Sequence, residues 1–314
     1  MSTIGSIRSL PIAVLSVSLT ASACGGSSAP PEESTVPPTV PTAAPVAAGW
    51  KATDGIATPE SVYVDEGSGF IFSSQIDGAP DARDGNGRIV QLARNGRVVS
   101  ADWVTGLNAP KGLRSHKGTL WTADLDEVIG IEIANGRISA RTKIDGAMFL
   151  NDVAVGPDGT VYVSDMMANR IHAIRDGMAT VFAEGEQLEW PNGLLVDGNR
   201  LIVGGWGKPK PDFSTEVPGH LFALDLQTKQ KTLITPKPFA NIDGLERDGR
   251  GGYIVSDYLA GKILQVSATG EARELRQFMP GTADIAFIPT GNVLIVPHMN
   301  ENIVASYDLS DVLK

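Results

Sequence analysis

The chain has 314 residues, 42% of them apolar, with 35 glycines, 20 prolines and a formal charge of −10. That length suits one large β domain or two ordinary ones, and the glycine and proline content argues for many turns and few long helices. The negative charge argues against a nucleic-acid partner, because phosphate binding needs concentrated Lys and Arg; it suits a domain that holds a cation.

Residues 1–23 read as an export signal. Arg8 gives a positive start, "LPIAVLSVSL" an apolar stretch too short to span a bilayer, and "ASAC" a processing site. Cys24, the single cysteine of the chain, follows the small residues directly and reads as the lipid-attachment residue of a bacterial lipoprotein. The chain is then expected at the cell envelope, periplasmic or on an outer membrane face, touching the membrane only through that anchor. Because Ala21 stands where leucine is usual, plain cleavage and secretion is the alternative. With one cysteine no intrachain disulfide forms, so packing alone must hold the fold. Residues 24–49, rich in Pro, Ser, Thr and Ala, carry few anchors for packing and read as a disordered tether. The folded domain is expected over 50–314.

Beyond Trp50 one frame recurs: "TPESVYVDEGSGFIFSS", "APKGLRSHKGTLWTAD", "FLNDVAVGPDGTVYVSD", "EWPNGLLVDGNRLIVGG", "NIDGLERDGRGGYIVSD" and "TADIAFIPTGNVLIVPH". Each has a polar residue, small or apolar residues, a turn, then a β-rich run. The leading polar residues are Glu60, Lys111, Asn151, Asn192, Asp243 and Asp284, at spacings of 51, 40, 41, 51 and 41. Insertions at Ile76–Arg88 and Gly207–Gly219 account for the two long intervals, leaving a period near forty. With further strands such as "NRIHAIRDG" and "MATVFAEG", each unit has four short strands, the pattern of a propeller blade. The reading is an all-β, six-bladed β-propeller. Its last unit ends after "NIVASYDL", so the segment around Trp50–Thr53 is expected to supply the missing outer strand and remove the exposed edge.

Inner strands of a propeller line its channel, so the six polar residues are expected to form a ring at one mouth. The ends of the second strands, assigned to Ser74, Asp124, Asp165, Gly205, Asp257 and His298, open onto the same mouth, with the insertions above. Three carboxylates, two amides and one ammonium carry a formal −2, a repulsion that raises carboxylate pKa values unless a cation compensates. Oxygen donors favour Ca²⁺, then Mg²⁺ or Mn²⁺, over Zn²⁺. For any one residue, turn capping is the competing role, and Lys111 with Asp284 could form a salt bridge plugging the channel. The three aspartates at second-strand ends read chiefly as turn formers. His116, His172 and His220 fall away from the axis, whereas His298 is placed to reach the mouth as a polar liner or proton shuttle. Trp206 and the loop "GKPKPDFSTEVPG" could wall a pocket.

From about Trp50 onward the chain resembles the SMP-30/gluconolactonase/luciferin-regenerating-enzyme-like propellers, relatives of the paraoxonases. Glu60 in "PESV", Asn192 in "PNGL" and Asp243 in "IDGL" match that family's metal ligands, and Asn151 in "LNDV" matches an Asn that touches substrate or metal. Three positions depart from its pattern. The first blade has Glu-Ser-Val instead of Glu-Gly-Pro, Phe149 replaces an arginine that grips sugar lactones, and Lys111 stands where paraoxonase-like relatives carry a catalytic histidine. The resemblance therefore implies a divalent-metal-dependent hydrolase of small lactones or esters less polar than sugar lactones. Asp243 would act as ligand and general base, and Asn151 and Lys111 would orient the carbonyl or stabilise the oxyanion. Trp206 and His298 complete the expected substrate contacts. No Gly-x-Ser-x-Gly elbow is present. "VYVSDMMANRI" also resembles NHL repeats, so a non-catalytic, metal-stabilised binding propeller on the cell envelope is the rival expectation; a metal-free propeller with other channel chemistry is a third.

Overall fold

Six four-stranded antiparallel sheets follow one another along the chain in the computed structural model, which describes residues 44–313. Blades one to five span 59–107, 110–143, 150–184, 191–233 and 242–277, each with its strands in sequence order. The sixth is completed from the other end of the domain. Strand β1 (Lys51–Ala52) pairs with the strand Ile303–Asp308, Lys51 opposite Ala305 and Ala52 opposite Val304, and closes the circle as expected. Two β-rich neighbours cannot bury both faces alone, so the apolar residues sit between blades. One such cluster joins Phe72 and Ile89 of blade one to Leu113, Leu120 and Ile129 of blade two.

Folded structure starts before Trp50. Val46 is buried in the cluster with Ala52, Ile56 and Val62, and Ala47 is bonded at its N–H to Arg94 O and at its O to Ser306 Oγ. The end of the expected tether is thus packed structure, because one apolar side chain and two backbone bonds suffice to dock it. The export signal and Cys24 lie outside the described residues.

Why the polar column faces the axis follows from a local irregularity. In blades one to five the inner pair of strands loses register at the column, between Pro59 and Ser61, Pro110 and Leu113, Leu150 and Val153, Pro191 and Leu194, and Ile242 and Leu245. A bulge of this kind re-aims one side chain and leaves an amide unpaired. The recurrent "VSD" ending answers both demands. Its serine accepts the orphaned amide: Asp152 N–H donates to Ser164 Oγ (2.9 Å) and Gly244 N–H to Ser256 Oγ (2.7 Å). The strand-end aspartate caps the incoming segment, in "TAD" as in "VSD": Asp124 accepts from the Asn108 and Ala109 amides, Asp165 from those of Met148 and Phe149. In blade one this second-strand end is Gln75, opposite Pro59, and not Ser74; Ser74 takes the serine's role by accepting from Ser61 N–H. The ladder begins one residue later than the sequence frame indicates.

Candidate metal centre

Five of the six column residues, Glu60, Lys111, Asn151, Asn192 and Asp243, line one cavity of about 210 Å³. The bulges bring them there from blades one to five. Asp284 does not line it. Its Oδ2 accepts a 2.5 Å bond from Ser61 Oγ, while its backbone N–H donates to Glu60 O, so it stitches blade six to blade one beneath the site.

The floor of the cavity is rich in uncompensated oxygen. Glu60, Asn192 and Asp243 are 5%, 1% and 5% exposed. Glu60 Oε2 and Asn192 Oδ1 are buried without a hydrogen-bond partner. Burial and the neighbouring Asp243 raise the Glu60 carboxyl well above its ordinary range, with Lys111 opposing. Burial and Asp284 raise Asp243 in the same way, and burial with Asp152 raises Asp284. An orphaned carboxylate oxygen and an orphaned amide oxygen lining one cavity cost free energy unless a cation or donors meet them. Such hard donors fit Ca²⁺, Mg²⁺ or Mn²⁺. No three His, Cys, Asp or Glu side chains converge for a metal among the described residues. The set here has two carboxylates and takes its further oxygens from asparagine.

Lys111 forms no salt bridge with Asp284. Its ammonium donates to Pro80 O and Ala109 O, both at 3.0 Å, and lies 4.6 Å from the Phe149 ring centroid. Burial lowers its pKa, with Glu60 opposing. Two of its three donors are thereby engaged on backbone oxygens, on a wall of the cavity.

His298 does not reach this cavity. It packs edge-on against Phe278 and bonds Tyr307 Oη through Nε2 at 2.8 Å, in a separate cavity beside Lys51 and Glu301. The second-strand-end position turns its side chain back toward the preceding segment, as Asp124 and Asp165 show, and so away from the axis. Trp206 does line the site, donating from Nε1 to Phe213 O (3.0 Å). The insertion carrying Phe213 lies over the mouth, with the Phe213 ring 5.7 Å from that of Phe149. Tyr258, Met166 and Met299 extend this apolar wall.

Sequence reasoning missed the layer below. Asp152 accepts from Val153 N–H and, across the blade boundary, from Leu194 N–H, both at 2.6 Å. Burial pushes it up to about 7, opposed by Arg114 and those amides. Arg114 of blade two bonds Glu246 of blade five at 2.6 Å, a strut between opposite sides of the ring. The acid after Asn151 in "LND" and the arginine three residues after Lys111 are the signals that could have shown this layer.

The all-β propeller class is thus set by six closed blades and a polar channel mouth. No family model matches the sequence, and no curated protein matches it. Among solved structures, the chain is similar to a catalytically inactive histidine-to-alanine variant of virginiamycin B lyase from Staphylococcus aureus with quinupristin. The two share 14% identity and a TM-score of 0.55 over 82% of this chain and 97% of that one. A streptogramin B lyase structure matches at 13% and 0.55 over 80% and 93%, and a nidogen/laminin complex at 13% and 0.60 over 72% and 88%. At such identities the likeness is one of fold.

Proposed function

We propose that the protein is a divalent-cation-dependent hydrolase of small, weakly polar lactones or esters, similar in its site to the SMP-30/gluconolactonase-like propellers. The observation that carries this reading is the pair of buried, partnerless oxygens, Glu60 Oε2 and Asn192 Oδ1, beside Asp243 on the floor of an open cavity. Glu60, Asn192 and Asp243 would hold the cation, Ca²⁺ first. When bound, it supplies charge stabilisation for a developing oxyanion and a more acidic water. Asp243 takes the proton of the attacking water at its carboxylate. Asn151 and the remaining N–H of Lys111 orient the carbonyl group. Phe149, Trp206, Phe213 and Tyr258 exclude water and receive the apolar part of the substrate, which disfavours a polyhydroxylated sugar lactone.

The lyase reaction of the structural neighbours is not carried over. The inactive variant there lacks a histidine, and no histidine lines the present cavity among the described residues. The same observation favours one second reading, a binding propeller whose cation serves stability, held at the cell envelope through Cys24 or secreted. The deciding experiment is hydrolysis of a panel of alkyl and aryl lactones and esters by the purified domain, with Ca²⁺ and with chelator. Turnover that chelator abolishes supports the hydrolase. Metal-independent turnover, or full activity in Asp243→Ala, overturns it, and strong stabilisation by Ca²⁺ without turnover of any ester supports the binding reading.

A further inference from the structure

Blade four breaks the capping rule of its neighbours. Where blades two and three end their second strands in Asp124 and Asp165, blade four has Gly205. A side chain there would meet Glu189, since a Cβ on Gly205 would lie 3.1 Å from the Glu189 Cβ. The cap is instead reversed. Glu189, on the segment leading into the blade, reaches across to the start of the third strand: its Oε2 accepts from the His220 N–H (2.9 Å) and pairs with His220 Nδ1 (2.8 Å), and its Oε1 accepts from Lys231 Nζ (2.6 Å).

The backbone of this segment is strained. Glu189 and Trp190 are consecutive non-glycine residues in the left-handed region, at φ 55° and 54°, a conformation that persists only where surrounding contacts over-determine it. Asn169 of blade three holds the Trp190 N–H (2.9 Å), and the turn's two carbonyls are held by the insertion that lies over the site. Gly207 N–H donates to Glu189 O (2.9 Å) and Trp206 N–H to Trp190 O (3.0 Å). The far end of the same insertion is His220. Both feet of the 207–219 loop therefore stand on Glu189 and its neighbour, and Asn192 follows two residues later. One further tie, Asn241 Nδ2 to Trp206 O and Thr215 Oγ1, comes from blade five.

We propose that Glu189 is a positioning residue that latches the 207–219 loop as a lid over the cavity and, through the same strained turn, holds Asn192 in place. The second half rests on reading Asn192 as a cation ligand; the first does not. Two variants test the latch. Glu189→Gln keeps the shape and removes the charge that Lys231 and His220 share, and Lys231→Met removes the ammonium that ties Glu189 Oε1 to Gln187 O while leaving residues 189 and 190 unchanged. Ile131→Val, in the core between blades one and two, controls for general loosening.

Lid opening is read as native-state cleavage after Phe213 by chymotrypsin or after Glu216 by a glutamate-specific protease, since Lys208 and Lys210 each precede proline and resist trypsin. Both latch variants are expected to be cut about five-fold faster than wild type. Calorimetric Ca²⁺ titration is expected to show binding weaker by about ten-fold, with neither effect in Ile131→Val. Cleavage rates of both variants within about two-fold of wild type, or matched by Ile131→Val, overturn the latch. Faster cleavage with unchanged Ca²⁺ affinity overturns the hold on Asn192. If wild type itself binds no Ca²⁺, the reading of the cation ligands and the hold on Asn192 fall together, and cleavage alone decides the lid. Should Glu189→Gln fail to fold, Lys231→Met decides both points.

Discussion

Replacing Asp243 by asparagine should stabilise the metal-free protein and weaken its response to Ca²⁺. The substitution is nearly isosteric and keeps one oxygen, so packing is conserved while one buried charge is removed. In the metal-free protein burial raises the carboxyl pKa values of Glu60 and Asp243, which are each 5% exposed, with Asp243 adding to the rise at Glu60 and Asp284, below the floor, adding to that at Asp243. Lys111 spends two donors on Pro80 O and Ala109 O and bonds none of them. Removing an uncompensated buried charge is worth about 1–3 kcal/mol. At about 2–4 °C per kcal/mol for a domain of this size, the metal-free melting temperature should rise by roughly 2–12 °C. With Ca²⁺ at about 1,000 times its Kd the wild type gains about 4 kcal/mol. A variant binding about 100-fold more weakly gains about 1.4 kcal/mol at the same concentration, so its Ca²⁺-induced shift falls to about a third. Thermal melts in chelator and in Ca²⁺ measure both. An undiminished Ca²⁺ shift, or a metal-free melting temperature lowered by more than about 5 °C, would refute the account of this floor.

The buried carboxylates also set a pH dependence. Glu60, Asp152, Asp243 and Asp284 all protonate more readily in the folded state, so the folded protein binds more protons and its stability falls as pH rises. For Asp152 the loss runs from about pH 4 to about pH 7. Urea midpoints in chelator should fall between about pH 4 and 7 and recover with Ca²⁺; a rising midpoint contradicts the assignment. Lys111→Met preserves the buried stem and removes the ammonium, and kcat/KM should fall by about ten- to hundred-fold with a small change in melting temperature. Unchanged kinetics would return Lys111 to a purely structural role. Phe149→Ala removes the aromatic wall facing Phe213, and KM should rise about ten-fold for aryl or long-chain alkyl lactones and little for an unsubstituted ring. An equal rise for both would place the apolar group elsewhere.

What was legible in the sequence was whatever the repeat enforces. A period near forty places Glu60, Lys111, Asn151, Asn192 and Asp243 at equivalent bulges, and a bulge aims the side chain at the axis whichever residue occupies it. Partner choice is less legible, because it depends on the two or three ångströms between neighbouring blades. Asp284 is one residue out of register: Thr282 lies opposite His298, so Ala283 holds the column position of blade six and Asp284 falls in the layer of Ser61 and Asp152 beneath the site. His298 has the position of Asp124 and Asp165, and that position turns back toward the preceding segment rather than toward the mouth. Val46 packs because a single apolar residue in a proline-rich stretch found a core edge, which composition averages away.

The informative positions for function are therefore those where the chain departs from its own repeat. The repeat explains why oxygen atoms converge; Phe149, Lys111 and the exchange of a second-strand aspartate for Gly205 and Glu189 explain what surrounds them. If the convergent oxygens alone determined activity, substitutions at these three places would alter stability and leave substrate preference and lid opening as they are. Because Lys111 lies against Phe149, Phe149 faces Phe213, and the Phe213 loop stands on Glu189, changes at Phe149 and Glu189 should be non-additive in kcat/KM for apolar substrates. Additive effects in a double-mutant cycle would separate the wall from the lid and leave each to act alone.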